Sequence, residues 1–277
     1  MCRPRCRRVL AGAGSGALIA PNDHTFAAHL AEAAGELLLK LRHERPVGPD
    51  LGSAGDRVSH RFLVDAIRGR HPADAVLSEE AADDLSRLTA ERVWIIDPLD
   101  GTREFTEEGR DDWAVHVALW QRGVLVAAAV ALPSRAIVLS TASSFRRPLP
   151  SIDGPLRFLV SRTRPPALAA HVARAMSAQL VPMGSAGAKT MAVVLGEAHA
   201  YIHAGGQYEW DSAAPTAVAA AAGLHVSRVD GSPLRYNQRD PSLPDLLVCR
   251  PDLADALLRT IASAPGTLGR ERPPGAG

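Results

Sequence analysis

The chain has 277 residues, enough for one large domain or two interlocked smaller ones. Thirty-one basic residues against thirty acidic leave a net charge of +1, which excludes the broad basic face of a nucleic-acid binder. Hydrophobic residues make up 46% and aromatics only 4%, so the core is expected to be aliphatic and alanine-rich. The three cysteines, Cys2, Cys6 and Cys249, form neither a disulfide framework nor a zinc spacing, and a reducing cytoplasm is the expected compartment. No apolar run approaches the length of a transmembrane helix, so no membrane partner is expected.

Residues 1–22 pair basic side chains with a short Ala/Gly stretch, too weakly apolar for a signal-peptide core, and read as an extension outside the fold. From Phe26 to Arg42 the positions Phe26, Leu30, Ala34, Leu37, Leu38 and Leu41 have helical spacing. The Gly- and Pro-rich Pro46–Gly55 segment reads as a loop, and a helix resumes from Asp56 to Arg68. Ala75–Leu77 and Val93–Ile96 read as strands. Trp113–Leu132 reads as a hairpin turning at Gln121–Gly123, followed by a strand over Ala136–Thr141.

The polar Phe145–Pro155 segment marks the boundary between an N-terminal α+β half, residues 23–148, and a C-terminal α/β half, residues 149–264. That second half shows strands at Arg157–Ser161, Leu180–Met183, Ala200–His203 and Leu246–Cys249. Its helices are expected at Leu168–Ser177, Ala188–Leu195, Asp211–Ala222 and Asp252–Ala262. Residues 265–277 read as a disordered tail.

The run Trp94-Ile-Ile-Asp97-Pro98-Leu99-Asp100-Gly101-Thr102 carries the most chemical information. Two carboxylates at a strand end suit a hard cation, and the small residues after them leave backbone N–H groups open to an anion. Acids recur at Glu79-Glu80 after a strand, and at Asp56 and Asp211 where helices open. Each of these alone also fits an ordinary helix cap or turn.

In this order, S-E-E, D-P-L-D-G-T and W-D resemble the lithium-sensitive, magnesium-dependent phosphatases of the inositol monophosphatase superfamily, over about residues 26–262. Within it the chain is most similar to the CysQ-type 3′(2′),5′-bisphosphate nucleotidases. The resemblance implies a layered α/β/α/β/α sandwich of the inositol monophosphatase and fructose-1,6-bisphosphatase type. It also implies two or three Mg²⁺ ions. Glu79, Asp97 and the Leu99 carbonyl would hold the first, Asp97, Asp100 and Asp211 the second, and Asp56 with Glu79 a weaker third. Thr102 would help Glu79 deprotonate the attacking water, and the Gly101 and Thr102 amides would hold the phosphate. Ser53-Ala54-Gly55-Asp56 departs from the family's usual Thr-x-Ala-Asp, which leaves the third ion least secure.

The segment Gly184-Ser185-Ala186-Gly187-Ala188-Lys189 lacks the glycine before lysine that a Walker A loop requires. It resembles instead the nucleotidases' substrate segment, which implies contacts to sugar and phosphate from Gly184, Ser185, Ala186, Gly187 and Lys189. Arg103 matches a basic position that would meet a second phosphate. Inositol phosphatases typically carry an acid where this chain has Ala204. Gly231–Asn237 resembles a late substrate-side loop, and His203 and Gln207 are further pocket candidates. His116, alternating with Val115 and Val117, reads as a packed core histidine, and Trp113, Trp120 and Trp210 as packing residues.

The expected reaction is hydrolysis of an adenosine bisphosphate, a small-molecule phosphate ester. A broad inositol or fructose bisphosphate phosphatase and a non-catalytic nucleotide or metal sensor remain as alternatives. Homodimerisation is common in such families, though nothing in this sequence specifies it.

Overall fold

The computed structural model describes residues 22–45, 49–83, 85–142 and 154–264. Helices α1 (Asp23–Glu44) and α2 (Pro49–Arg70) come first, then β1 (Ala75–Ser78), β2 (Arg92–Asp100) and the short α3 (Thr102–Thr106). The hairpin β3 (Ala114–Gln121) and β4 (Val124–Leu132) leads to β5 (Ile137–Ser140). The chain continues through β6 (Arg157–Ser161), α4 (Ala167–Ala175), β7 (Gln179–Met183), α5 (Ala186–Val194) and β8 (Ala200–Tyr208). It closes with α6 (Glu209–Ala221), β9 (His225–Ser227), β10 (Ser242–Cys249) and α7 (Ala254–Ala262).

Two five-stranded sheets result, ordered β1-β2-β3-β4-β5 and β7-β6-β8-β10-β9. Strand alternation decides which helices each face receives. On β3, Val115, Val117 and Leu119 pack under α1 and α2, whereas Ala114 and Ala118 face α5 and α6. On β10, Leu246 and Val248 face α5 and α6 from the other side, and Leu247 and Cys249 face α4 and α7. The layers therefore run α1/α2, first sheet, α5/α6, second sheet, α4/α7. This is the α/β/α/β/α sandwich expected from the resemblance.

Four expectations about elements need correction, and each has a packing reason. Residues 49–55 are helix, not loop, because Gly52 and Gly55 serve close approach: a Cβ would lie 2.7 Å from Thr102 Cγ2 at the first and 2.9 Å from Leu99 Cδ2 at the second. Asp56 consequently sits inside α2 and does not open a helix. Strand β10 begins at Ser242, four residues earlier than its apolar run, by pairing with the end of β8. Asn22, given to the extension by composition, is the N-cap of α1 and accepts from the Thr25 N–H at 2.9 Å. The remaining extension, the 143–153 boundary segment and the 265–277 tail lie outside the described residues.

Candidate active site

Strand β2 runs through Pro98 to Asp100, with one extra residue between Asp97, opposite His116, and Asp100, opposite Ala114. This bulge re-aims the strand end, and it accommodates a proline that a regular inner strand would exclude. Ser59 of α2 donates to the freed Pro98 carbonyl at 2.7 Å. Gly101 follows with φ +88°, where an added Cβ would lie 3.1 Å from Ser185 Cβ, and α3 starts at once.

A cleft of about 660 Å³ opens at this strand end. It is lined by Glu79 from the β1 end, Asp97 to Glu104 in part, Ser161 to Arg164 after β6, Met183 to Ser185, Lys189 and Asp211. The chain thus brings Glu79, Asp97, Leu99, Asp100, Gly101, Thr102, Arg103, Gly184, Ser185, Lys189 and Asp211 together. Asp56 stays behind this lining, its Oδ1 3.5 Å from the Thr102 hydroxyl, which also donates to the Leu99 carbonyl at 3.1 Å. Ala186 and Gly187 lie in the first turn of α5 and do not line the cleft, and neither do His203 and Gln207. Ser232, Pro233 and Arg235 of the supposed substrate-side loop border a separate hollow of about 330 Å³ beside Arg228 and Gln238.

The acids crowd one another. Burial, then repulsion from Asp100, Glu79 and Asp211, pushes the Asp97 carboxyl well above the ordinary range. Burial and Asp100 likewise raise Asp211 to about 6. Glu79 is open to solvent at the cleft mouth, yet desolvation of its carboxyl and the charges of Asp211, Asp100, Asp56 and Glu80 raise it to about 7. Asp56 also rises to about 7, through burial and Glu80. Asp100 behaves oppositely: burial pushes it up, but His116, Ser185 Oγ at 2.5 Å and the Gly187 N–H at 2.7 Å hold it down.

Asp97 Oδ1 accepts from the Leu99 N–H at 3.0 Å, while its buried Oδ2 has no hydrogen-bond partner. A buried, unpaired carboxylate oxygen among other carboxylates fits a hard divalent cation, which takes oxygen ligands and offsets their repulsion. The all-oxygen set at the cleft face fits such an ion.

The opposite wall is tied by polar contacts that the sequence did not announce. Lys189 is buried, and desolvation pushes its ammonium down to about 8. Its Nζ donates to the carbonyls of Met183, Gly184 and Ser185 at 3.4, 3.0 and 2.7 Å, so it shapes the loop before α5 and is not a solvated surface lysine. The Gly184 N–H donates to Asp112 at 2.6 Å, and a Cβ on Gly184 would meet Glu104 at 2.3 Å. Arg162 reaches across to Glu104 at 2.8 Å and Glu107 at 2.7 Å. Arg103 and Arg164 line the cleft with no ion-pair partner among the described residues.

Sequence reasoning missed Glu104, Arg162, Arg164 and, above all, His116. That histidine is wholly buried, but it stands opposite Asp97 on the adjacent strand, with Nε2 3.2 Å from Asp100 Oδ2. A period-2 reading of β2 and β3 in register would have put both on one face.

A two-sheet, five-layer sandwich that gathers oxygen ligands for a cation beside backbone amides and unpaired arginines defines a metal-dependent phosphatase class. The chain belongs to the inositol monophosphatase family, whose profile matches residues 22–264. It is 55% identical over 243 residues to a Mycobacterium bovis protein named 3′-phosphoadenosine 5′-phosphate phosphatase, covering 83% of this chain and 90% of that one. It is 32% identical over 202 residues to the 3′(2′),5′-bisphosphate nucleotidase CysQ of Escherichia coli K12, covering 69% of this chain and 81% of the relative. Among solved structures, CysQ from Bacteroides thetaiotaomicron, described as a bacterial member of the inositol monophosphatase family, superposes with a TM-score of 0.71 at 27% identity, covering 81% of this chain and 96% of that one. No helix among the described residues is long and apolar enough to cross a membrane.

Proposed function

We propose that this chain is a Mg²⁺-dependent phosphomonoesterase that hydrolyses 3′-phosphoadenosine 5′-phosphate to AMP and phosphate in the cytoplasm. The observation that carries the reading is its 55% identity, over 90% of the relative's length, to the mycobacterial phosphatase of that name. The cleft supports it: acids on one wall suit the ions, and the unpaired Arg103 suits a second phosphate.

Glu79, Asp97, the Leu99 carbonyl, Asp100 and Asp211 are the groups that would hold two ions, with Asp56 and Glu79 offering a third position. When bound, the cations offset the charge of the phosphate dianion, acidify water and stabilise the leaving alkoxide. The chain's own groups do the remaining work. Glu79, at the cleft mouth, is the carboxylate that would accept a proton from water. Thr102, fixed by its bond to the Leu99 carbonyl, orients that water on the Glu79 side. The Gly101 and Thr102 amides hold the scissile phosphate, and Arg103 meets the other one. Gly184, Ser185 and Lys189 form the wall along which the sugar lies.

Product identity tests the reading. With Mg²⁺, 3′-phosphoadenosine 5′-phosphate should yield phosphate and AMP in equal amounts, and a chelator should stop the reaction. Adenosine 3′-phosphate as the product, or no phosphate release, would overturn it.

A further inference from the structure

A nucleoside bisphosphate brings three kinds of surface to a site: anionic ends, a hydroxylated sugar and a flat base with apolar faces. The cleft answers only the first two. Of the residues that line it, Leu99 and Met183 alone are apolar, and none is aromatic. Leu99, moreover, is 1% exposed, its side chain packed in the core under α1 and α2. A base gains most from an aromatic face laid parallel to its own. That face must come from beside the acids and arginines, not from among them.

The junction of β8 and α6 supplies one. Four large apolar side chains are exposed among the described residues: Leu39 on α1, Val58 on α2, Val124 at the start of β4, and Tyr208. Only Tyr208 is aromatic, and it stands next to the site. Its N–H donates to the Asp211 carboxylate at 2.6 Å, and Asp211 lines the cleft. One face of its ring lies on Trp210, with centroids 4.7 Å apart and planes 13° from parallel. Trp210 is itself half-buried against the central core. No other ring covers the second face among the described residues, and Tyr208 is 48% exposed.

The chain leading to this ring is bare. Gly205 and Gly206 have φ +121° and +85°, and a Cβ on either would meet nothing within 4 Å. These two positions therefore put no side chain over the tyrosine and leave open space before it. Stacking on Trp210 fixes the ring in advance, which removes rotamer freedom that an arriving ligand would otherwise have to freeze.

We propose that the outer face of Tyr208 is the platform on which the base of the substrate stacks, with Trp210 as its rigid backing. This rests on the reading of the cleft as a nucleoside bisphosphate site and adds the part that receives the base. The scissile phosphate sits at the acids, and the base leaves the cleft past Asp211, over the glycine pair. Every base has a π-face, so the platform separates nucleotides from base-free phosphates and does not tell one base from another.

Steady-state kinetics with Mg²⁺ on two substrates isolate the platform. One is 3′-phosphoadenosine 5′-phosphate; the other is methyl ribofuranoside 3,5-bisphosphate, which keeps the sugar and both phosphates and lacks the base. The wild type should favour the nucleotide in kcat/KM. Tyr208→Ala should lose about tenfold or more of that preference through a higher KM for the nucleotide, with kcat and the base-free reaction nearly unchanged. Tyr208→Phe, which keeps the ring, should keep the preference. Melting in chelator is the fold control.

A wild type that handles the two substrates alike would overturn the proposal. So would an unchanged preference in a folded Tyr208→Ala, a loss shared equally by both substrates, or an equal loss in Tyr208→Phe. If Tyr208→Ala does not fold, Tyr208→Leu decides, because it keeps apolar bulk without a flat face, and an intact preference there refutes the platform. A wild type that hydrolyses neither bisphosphate would instead refute the reading of the cleft, which is a separate failure.

Discussion

Replacing Gly187 by alanine tests how tightly α5 is seated on the acidic site. The new methyl would lie 2.0 Å from His116 Nε2, a full ångström inside the 3.0 Å limit that real Cβ contacts respect. The ring cannot swing away, since it is wholly buried and tied to Trp210. The first turn of α5 must therefore lift, which strains the 2.7 Å bond from the Gly187 N–H to Asp100. Overpacking of this kind costs roughly 1–3 kcal/mol, and a weakened charge-assisted hydrogen bond adds to it. About 3 kcal/mol in a fold of this size lowers Tm by roughly 6–12 °C. The assay is thermal melting of Gly187→Ala alone and in a His116→Ala background, where the obstructing ring is gone and the extra cost should nearly vanish. Gly69→Ala, with nothing within 4 Å, is the control and should be neutral or slightly stabilising. A Gly187→Ala Tm matching the control, or an equal loss in both backgrounds, would refute the packing argument.

Metal-linked stability should depend on pH. Glu79 and Asp211 are raised to about 7 and about 6 from ordinary values of 4.5 and 3.8, so the metal-free fold holds protons that the unfolded chain releases, and its stability falls as pH rises through that window. A cation competes with those protons, so the Tm gain on adding Mg²⁺ should be larger at about pH 8 than at about pH 5.5, and a gain independent of pH would contradict it. Asp97→Asn should cut turnover more than about 100-fold while raising the melting temperature in chelator at about pH 8, because it removes a crowded buried charge. Asp56→Asn, behind the cleft lining, should stay within the roughly 10–100-fold range of supporting residues. Asn22→Ala should cost about 1 kcal/mol through loss of the α1 cap, whereas a chain beginning at Asn22 should melt like the full chain.

What could be read from the sequence was whatever is local. Alternation located β3 and β4, helical spacing located α1, and the Asp97–Thr102 run marked the site because its chemistry is compressed into consecutive residues. What escaped depends on partners distant in sequence. Gly52 and Gly55 looked like loop residues because a glycine's local signal is flexibility, whereas here each is the absence of a side chain opposite Thr102 or Leu99. Lys189 read only as a substrate contact because nothing nearby in sequence shows three carbonyls folding back around its amine. His116 looked like ordinary packing because its meaning lies in register with Asp97 and in the missing side chain at Gly187. Arg162 gave no signal because Glu104 and Glu107 lie far upstream and meet it only once the fold closes.

The central claim is that the cleft selects a nucleotide carrying two phosphates. The most direct measurement is kcat/KM with Mg²⁺ for 3′-phosphoadenosine 5′-phosphate against inositol 1-phosphate, in the wild type and in Arg103→Ala. One charge-assisted contact to a second phosphate is worth roughly 1.5–3 kcal/mol, which favours the bisphosphate about tenfold or more. The account predicts that preference in the wild type, narrowed in Arg103→Ala mainly by loss on the nucleotide. Equal efficiency on both substrates, or an Arg103→Ala effect shared equally between them, would contradict it.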